Sequence, residues 1–319
     1  MNQIKITPIG RTAFGAVVTD ISLRGLSDPD FETVNGAFLK YGFLVFPKQF
    51  VTKEESYAFG ERFGELEFGA WTPPGVPEKP LHFSKIQLFR TIVGNETWHT
   101  DSTYKPVSAK VGMLSAVTVP DEGGQTELAD MRAGYAALDE ATKKRVEKLS
   151  AYHSAQYSQA NDVADFPPQR ADSIYHHEAY LRPLVKTHPQ TGMKNLFVGR
   201  HAFGIPGLDR QESRDLLKYL VDFVVSDESR VYCHEWEVGD TMIWDNRALL
   251  HRARPHDYNN KRELIQTRVA GDPATELSYY PSAPEAQAGR EALAMELELL
   301  RKETAGKRFA ASEAAARNA

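Results

Sequence analysis

Two short segments, far apart in the chain, carry side chains that could bind one metal ion. The first, residues 98–102, contains His99 and Asp101, and the second, residues 244–251, ends at His251. Side chains two positions apart in a strand point to the same face, so His99 and Asp101 could offer an imidazole and a carboxylate to one ion. With His251 they would occupy one face of a metal and leave the other open, as in non-haem Fe(II) oxygenases. The pattern predicts an enzyme.

The spacing of His99 and Asp101 alone is a weak signal, because a histidine in a strand is often a core residue that is hydrogen-bonded to a neighbour. The sequence around the pair strengthens the interpretation. A second histidine lies far downstream, and arginines follow it at positions 262 and 268.

Composition indicates an ordinary soluble globular protein with enough apolar residues for a core. The chain has 319 residues, of which 41% are hydrophobic and 25% charged. This length is as compatible with one large domain that has insertions as with two domains. The formal net charge of -5 gives no general affinity for nucleic acid or for anionic membranes. We expect neither as a partner.

The N-terminal sequence and the cysteine content bear on location and on the metal. No apolar run is long enough to cross a bilayer, and the first five residues are not followed by the apolar segment of a signal peptide, so a cytoplasmic location is expected. Cys233 is the only cysteine, which excludes an intrachain disulfide and a cysteine metal cluster. A bound metal would need nitrogen and oxygen ligands.

Short apolar runs bounded by turn residues predict mainly strands, with helices at the start, in the middle and at the end. A helix is expected over residues 30–41, ended by Gly42, and a capping box of Thr52 and Glu55 predicts a second helix that stops at Gly64. Further helices are expected over residues 131–150 and around residues 216–223. The predicted strands cover residues 4–6, 15–18, 43–46, two runs within 110–129, 181–188, 195–200, 230–237, 241–244 and 262–270.

Four connections are predicted from turn chemistry and polarity. Residues 188–192 should join two strands as a hairpin, and residues 238–240 should do the same for the strands before and after them. Polar residues 158–173 are expected to form a surface loop, as is the proline-rich segment 69–85.

This order predicts a mainly β fold with helices, a double-stranded β-helix (jelly roll) with helical insertions. The expected boundaries are a jelly-roll domain at 1–283 and a helical C-terminal tail at 284–319. The apolar face of that tail could bind a second copy in a homo-oligomer or pack on its own domain.

Several segments together resemble the taurine dioxygenase and 2,4-dichlorophenoxyacetate dioxygenase family of Fe(II)/2-oxoglutarate enzymes. Within that family the likeness is to the (S)-phenoxypropionate (dichlorprop) dioxygenases. The matching segments are residues 93–95, 98–104, 129–133, 199–202 and 244–247.

The resemblance implies a dioxygenase that uses Fe(II), 2-oxoglutarate and O2, hydroxylates its substrate and releases succinate and CO2. It assigns His99, Asp101 and His251 as the iron ligands. It assigns Arg262 and Thr126 to the cosubstrate, since the distal carboxylate needs a permanently charged, bidentate partner; the alternative for Arg262 is a surface strand arginine. Asn95 matches a family residue beside the cosubstrate and substrate, although an asparagine after glycine is also an ordinary turn residue.

The substrate is expected to be a small organic acid, with an aryloxyalkanoate as one candidate whose hydroxylation would cleave its ether bond. Gln266 stands where the taurine enzyme has an arginine that binds the sulfonate, which argues against a taurine-like substrate. Arg268 could receive a carboxylate instead or form a salt bridge at the barrel mouth. Trp71 and His82 could cover a bound acid.

Two other functions remain open at this point. One is an oxygenase of secondary metabolism acting on an amino-acid-like substrate. The other is a jelly-roll metal protein that binds a ligand without oxidising it, or a cupin-type isomerase; such proteins have no need of a keto-acid anchor such as Arg262 with Thr126.

Overall fold

The computed structural model describes residues 4–10, 12–67, 90, 92–171, 173–280 and 284–304. Its strands, in chain order, are β1 (Lys5–Pro8), β2 (Ala16–Thr19), β3 (Phe43–Phe46), β4 (Val111–Thr118), β5 (Thr126–Asp130), β6 (Ser150–His153), β7 (Tyr180–Pro183), β8 (Val185–Thr187), β9 (Lys194–Leu196), β10 (Ala202–Phe203), β11 (Val231–His234), β12 (Thr241–Asp245), β13 (Leu249–Ala253) and β14 (Glu263–Val269).

The helices of the described residues lie outside and at the ends of these sheets. They are α1 (Asp28–Tyr41), α2 (Lys53–Glu61), α3 (Met131–Ala137), α4 (Glu140–Val146), α5 (Ala155–Val163), α6 (Arg210–Val225), α7 (Pro273–Glu276) and α8 (Ala286–Thr304), with a 3-10 turn at Glu228–Arg230. None of the described helices has both the length and the apolar character needed to span a membrane.

Two sheets define the part of the fold that positions the candidate site. The larger has the strand order β1-β2-β3-β12-β4-β14, and the smaller has the order β11-β5-β13. Phe43 and Trp244 of the larger sheet pack with Leu128 and Leu249 of the smaller in one apolar cluster between them. Helices α1 and α2 cover the other face of the larger sheet, and α3 and α6 pack beside the smaller one.

The structure confirms several local features that the sequence predicts. Gly42 ends α1 with a φ of 80° and donates its N–H to the carbonyl of Phe38, and both hydrogen bonds of the Thr52 and Glu55 capping box are present. The predicted hairpin at residues 188–192 is confirmed by the antiparallel pairing of β8 with β9.

The hairpin predicted at residues 238–240 is wrong. Strand β11 pairs with β5 in the smaller sheet, whereas β12 pairs with β3 and β4 in the larger one, so the turn carries the chain from one sheet to the other. The burial of the two strands differs accordingly. All of β12 is buried, as expected for a central strand, while only His234 of β11 is buried.

Three other element predictions also need correction. Residues 158–173 begin inside helix α5, whose Gln156, Ser158 and Gln159 are buried and hydrogen-bonded, so their polarity does not indicate a loop. Residues 131–150 hold two short helices, α3 and α4, because Asp139 caps a new helix after Leu138 leaves the helical conformation. Helix α2 ends at Glu61 instead of Gly64.

The C-terminal helix α8 packs against the rest of the chain. Leu293, Leu297 and Leu300 are buried in a cluster with Tyr157 and Ala160 of α5. Arg210 adds a polar contact, since its Nε and Nη2 donate to the Glu296 carboxylate at 2.7 and 2.9 Å. The division of the chain at residue 284 stays a prediction.

Candidate metal and cosubstrate site

His99 and His251 are held beside each other by their own backbones. The N–H of His99 donates to the carbonyl of His251 at 2.9 Å, and the N–H of His251 donates back at 2.8 Å. This antiparallel bridge places the segment before Asp101 at the edge of the smaller sheet, next to β13. The ring centroids are 4.1 Å apart, so two histidines separated by about half the chain form one centre.

The three side chains have the arrangement that a metal needs. His99, Asp101 and His251 are buried, and each offers one ligand atom within 4.8 Å of the others. Nδ1 of His99 lies 2.7 Å from the carbonyl oxygen of Thr97, which orients the ring and leaves Nε2 free for a metal. Oδ2 of Asp101 and Nδ1 of His251 are buried and have no hydrogen-bond partner among the described residues.

The electrostatics of the site favour neutral imidazoles, the form that binds a metal. Burial, followed by the charge of Arg268, lowers the pKa of His251 to about 3. Burial and the neighbouring His251 lower the pKa of His99 well below its ordinary value. Two neutral nitrogens and one carboxylate oxygen fit a divalent transition metal with open coordination positions.

Arg268 is committed to the carboxylate of this centre. Its Nη2 lies 2.5 Å from Oδ1 of Asp101, and its Nη1 donates to Oγ of Ser102 at 3.2 Å. Ser102 in turn donates to Glu67, which also pairs with Lys105. Of the two roles considered for Arg268, the salt bridge is the one the geometry displays.

Gln266 lies two residues from Arg268 on the same strand, and its side chain is exposed. The alternate residue Thr267 is buried and its hydroxyl lies 2.8 Å from Oγ of Ser56, on the α2 side of the sheet. Strict alternation does not extend to Arg262, because the register between β14 and β4 shifts between Glu263 and Leu264. Gln266 and Arg268, two residues apart, therefore share one face of β14, whereas this alternation cannot orient Arg262.

Arg262 is held by the turn that precedes β5. Its Nε donates to the carbonyl of Gly124 at 2.9 Å, and a Cβ at Gly124, whose φ is +70°, would lie 3.0 Å from Cδ and Nε of Arg262. A glycine is needed there for both reasons. The side chain is partly buried, and within the described ranges neither of its terminal nitrogens donates a hydrogen bond. Arg262 thus presents an unoccupied guanidinium fork.

Thr126 lies on the same face of the smaller sheet as His251. It pairs with Ala253, and the next same-face pair along the two strands is Leu128 with His251. Thr126 is 2% exposed, and its Oγ1 accepts a hydrogen bond of 3.0 Å from Nε1 of Trp236. Its hydroxyl proton is free to be donated to a bound oxygen.

The remaining predicted residues are less constrained. Asn95 has an exposed side chain, while its carbonyl accepts a hydrogen bond from the N–H of Ala253 at 2.9 Å, next to the strand that carries His251. Trp71 and His82 lie outside the described residues.

Sequence reasoning did not single out the buried cluster that supports the turn into β13. Asp245 binds Arg247 through two contacts of 2.7 and 2.8 Å, and it lies 2.9 Å from Nε2 of His188. Burial alone would raise the pKa of Asp245, but Arg247 and His188 hold it below its ordinary value. The acidic and basic residues of the 244–247 motif were the available signal, and they anchor the approach to His251.

Comparison with known proteins agrees with this geometry. Residues 5–268 match the family described as "Taurine catabolism dioxygenase TauD, TfdA family". An (S)-phenoxypropionate/alpha-ketoglutarate-dioxygenase of Sphingobium herbicidovorans is 46% identical over 280 residues, covering 85% of this chain and 96% of the relative. An alpha-ketoglutarate-dependent 2,4-dichlorophenoxyacetate dioxygenase of Cupriavidus pinatubonensis is 35% identical, covering 81% and 95%.

A solved structure extends the likeness to the fold. The crystal structure of AAD-2 in complex with Mn(II) and N-oxalylglycine superposes with a TM-score of 0.73 at 32% identity, and it covers 84% of this chain and 98% of that one. The jelly-roll prediction is confirmed, although the sheets of the described residues do not close into a barrel.

Proposed function

Because the chain belongs to the TauD/TfdA family of dioxygenases, we propose that it is an Fe(II)- and 2-oxoglutarate-dependent enzyme that oxidises aryloxyalkanoic acids. The observation that carries this proposal is the convergence of His99, Asp101 and His251 on one centre, and the unoccupied fork of Arg262 at the Gly124 turn supports it. The relatives named for phenoxypropionate and 2,4-dichlorophenoxyacetate support the substrate class.

Each residue has a role that follows from its position. His99, Asp101 and His251 would hold Fe(II). Arg262 would bind the distal carboxylate of 2-oxoglutarate through its two terminal nitrogens, and the Thr126 hydroxyl would donate a hydrogen bond to the same cosubstrate. Asn95, whose side chain is exposed, would contact the cosubstrate or substrate.

When bound, Fe(II) and 2-oxoglutarate supply the oxidising chemistry, in which O2 is consumed, succinate and CO2 are released, and one oxygen atom enters a substrate C–H bond. The protein contributes orientation and exclusion of water around the buried ligands. Hydroxylation of a carbon that bears an aryl ether oxygen gives a product that collapses to a phenol and a 2-oxo acid. For 2-phenoxypropionate these products are phenol and pyruvate.

The experiment that tests this function is an end-point screen of the purified protein with Fe(II), ascorbate and 2-oxoglutarate. Succinate would be measured against aryloxyalkanoates, alkyl sulfonates, alkyl sulfates and amino acids, with phenol release as the specific signal. We expect substrate-dependent succinate and equimolar phenol with aryloxyalkanoates. Succinate release coupled only to an amino acid or a sulfonate would replace the substrate class.

The alternative of a metal protein that binds without oxidising is tested separately. Anaerobic addition of Fe(II) and 2-oxoglutarate should give the weak visible charge-transfer band of the chelate. A protein that binds Fe(II) but gives no band with 2-oxoglutarate would be no oxygenase of this class. We also propose that the enzyme is cytoplasmic and that it can form a homo-oligomer.

A further inference from the structure

We infer that Arg200 binds the carboxylate of the substrate, as a second guanidinium fork distinct from the one that Arg262 offers to 2-oxoglutarate. This inference rests on the proposed function. It identifies the feature of this site that selects for acids.

Arg200 lies directly beside the segment that carries His99. Its backbone N–H donates to the carbonyl of Trp98 at 2.9 Å. A Cβ added to the preceding Gly199 would lie 3.3 Å from the Cα of His99. The connection between β9 and β10 therefore contacts the backbone of Trp98 and His99, next to the first metal-binding side chain.

Arg200 is half-buried, and its guanidinium is only partly used in hydrogen bonding. Its side chain is 5% exposed, and Nε donates to Oδ2 of Asp162 at 2.8 Å. Among the described residues neither Nη1 nor Nη2 donates a hydrogen bond. The two unused terminal nitrogens form a fork, and a carboxylate is the ligand that satisfies both at once.

Gly94 makes room for this fork. A Cβ at position 94 would lie 2.6 and 2.7 Å from Nη1 and Nη2 of Arg200, so the guanidinium would have to move to accommodate it. A side chain at position 94 would therefore press on both terminal nitrogens, and the next residue, Asn95, is tied to β13 two residues after His251 through its carbonyl.

His201, the residue after Arg200, lies near the rings of His99 and Tyr104. Its ring centroid is 6.1 Å from that of His99 and 4.8 Å from that of Tyr104, and its Nδ1 lies 2.8 Å from Oγ of Ser158. Burial lowers the pKa of His201 well below its ordinary value. A neutral His201 adds an aromatic surface beside Arg200 without a competing charge.

The other candidates for the substrate carboxylate are already occupied or uncharged. Arg268 is bonded to Asp101 and Ser102, and Gln266 carries no charge. Arg262 lies at the Gly124 turn and is assigned to the cosubstrate. Asp162 offsets much of the charge of Arg200, so we expect the fork to contribute to acid selectivity without being indispensable for turnover.

The test compares 2-phenoxypropionate with its neutral amide in the intact enzyme. For Arg200→Gln, KM for the acid should rise about 10- to 100-fold, the range of a charge-assisted hydrogen-bonded pair. The amide should be affected less than about threefold, so that the preference for the acid disappears. KM for 2-oxoglutarate and the Fe(II)–2-oxoglutarate band should not change.

Two further variants keep the test decisive. Arg200→Lys preserves the charge and the pairing with Asp162 but lacks the fork, so it should also lose acid preference. This variant provides the test if Arg200→Gln folds poorly. Arg145→Gln removes an arginine that is half exposed and paired with Glu212 on the surface, and it should behave as wild type.

The outcomes are distinguishable from a failure of the proposed function. If both Arg200 variants keep the acid-to-amide ratio of the wild type, Arg200 only braces helix α5 through Asp162 and the inference is wrong. If wild-type enzyme forms the 2-oxoglutarate band but turns over no aryloxy acid, the same ratio is measured with the acid found in the screen. If no band forms, the proposed function itself fails.

Discussion

Asp101 and Arg268 form a buried ion pair in which only one of the two carboxylate oxygens contacts the arginine. Oδ1 of Asp101 lies 2.5 Å from Nη2 of Arg268, while Oδ2 lies 3.6 Å from Nε2 of His251 and has no hydrogen-bond partner among the described residues. One oxygen is therefore neutralised by a fixed cation, and the other is directed into the three-residue centre. An arginine used in this way positions the metal ligand.

Replacing Arg268 with Gln should weaken metal binding about 10- to 100-fold, the range seen when a partner of a metal ligand is removed. The physical reason is that Asp101 loses its orientation. Calorimetric titration with Mn(II) under anaerobic conditions measures the change, and Arg290→Gln, at a half-buried pair with Glu178, is the control. Unchanged Mn(II) affinity in the Arg268 variant would show that the pair does not orient the carboxylate.

The chemistry-bearing residues could be predicted from the sequence because local motifs carry them. The His99 and Asp101 spacing and the distal His251 were sufficient to expect a shared centre, which the structure brings together. The ion pair of Asp101 with Arg268 was not predictable, because residues separated by more than 160 positions meet only after β14 has paired with β4.

Local sequence patterns also predict where helices and strands lie better than they predict which strands pair or which side chains meet. The Thr52 capping box and Gly42 fixed helix ends because both act within a few residues. The turn at 238–240 looked like a hairpin, but which sheet a strand joins depends on burial of both its faces. Helix α5 was misjudged because its polar side chains find buried partners that a linear sequence does not reveal.

Metal binding should stabilise the fold through the same three ligands. At a free metal concentration of 100 times Kd, the free energy of unfolding should rise by about 2.7 kcal/mol, because only the folded state assembles the site. Thermal unfolding with and without Mn(II) measures this gain. His251→Ala should abolish it, whereas His177→Ala, at an exposed histidine, should retain it. A gain that persists in His251→Ala would place the metal elsewhere.

Acidification should destabilise the metal-free protein through buried histidines. His153 is 1% exposed, neither of its ring nitrogens has a hydrogen-bond partner among the described residues, and burial lowers its pKa well below the ordinary value. As the pH falls through about 6.5, His153 therefore binds a proton in the unfolded state but not in the folded state. Stability is fully present above that pH and decreases as the pH falls.

His153→Leu should remove one such histidine from this pH dependence. Below about pH 6 the slope of unfolding free energy against pH should decrease by up to about 1.4 kcal/mol per pH unit. Urea titrations of the metal-free wild type and variant at pH 7.5, 6.5, 5.5 and 5.0 provide the comparison. Parallel curves for the two proteins would mean that His153 is protonated in the folded state.

Gly112 keeps the ring of Trp244 in place beneath the metal centre. A Cβ at position 112 would lie 2.3 Å from Cε2 of Trp244, and the Trp244 ring centroid is 4.8 Å from that of His251. Gly112→Ala must displace the indole, which is enclosed on all sides, so we expect a loss of about 1 to 3 kcal/mol of stability from overpacking. The displaced ring should also disturb His251 and weaken Mn(II) binding. Gly36→Ala in the exposed middle of α1, where a Cβ meets nothing within 4 Å, should instead gain up to about 1 kcal/mol. Urea unfolding and Mn(II) titration of both variants test the argument, and a Gly112→Ala protein as stable and as tightly metal-binding as wild type would contradict it.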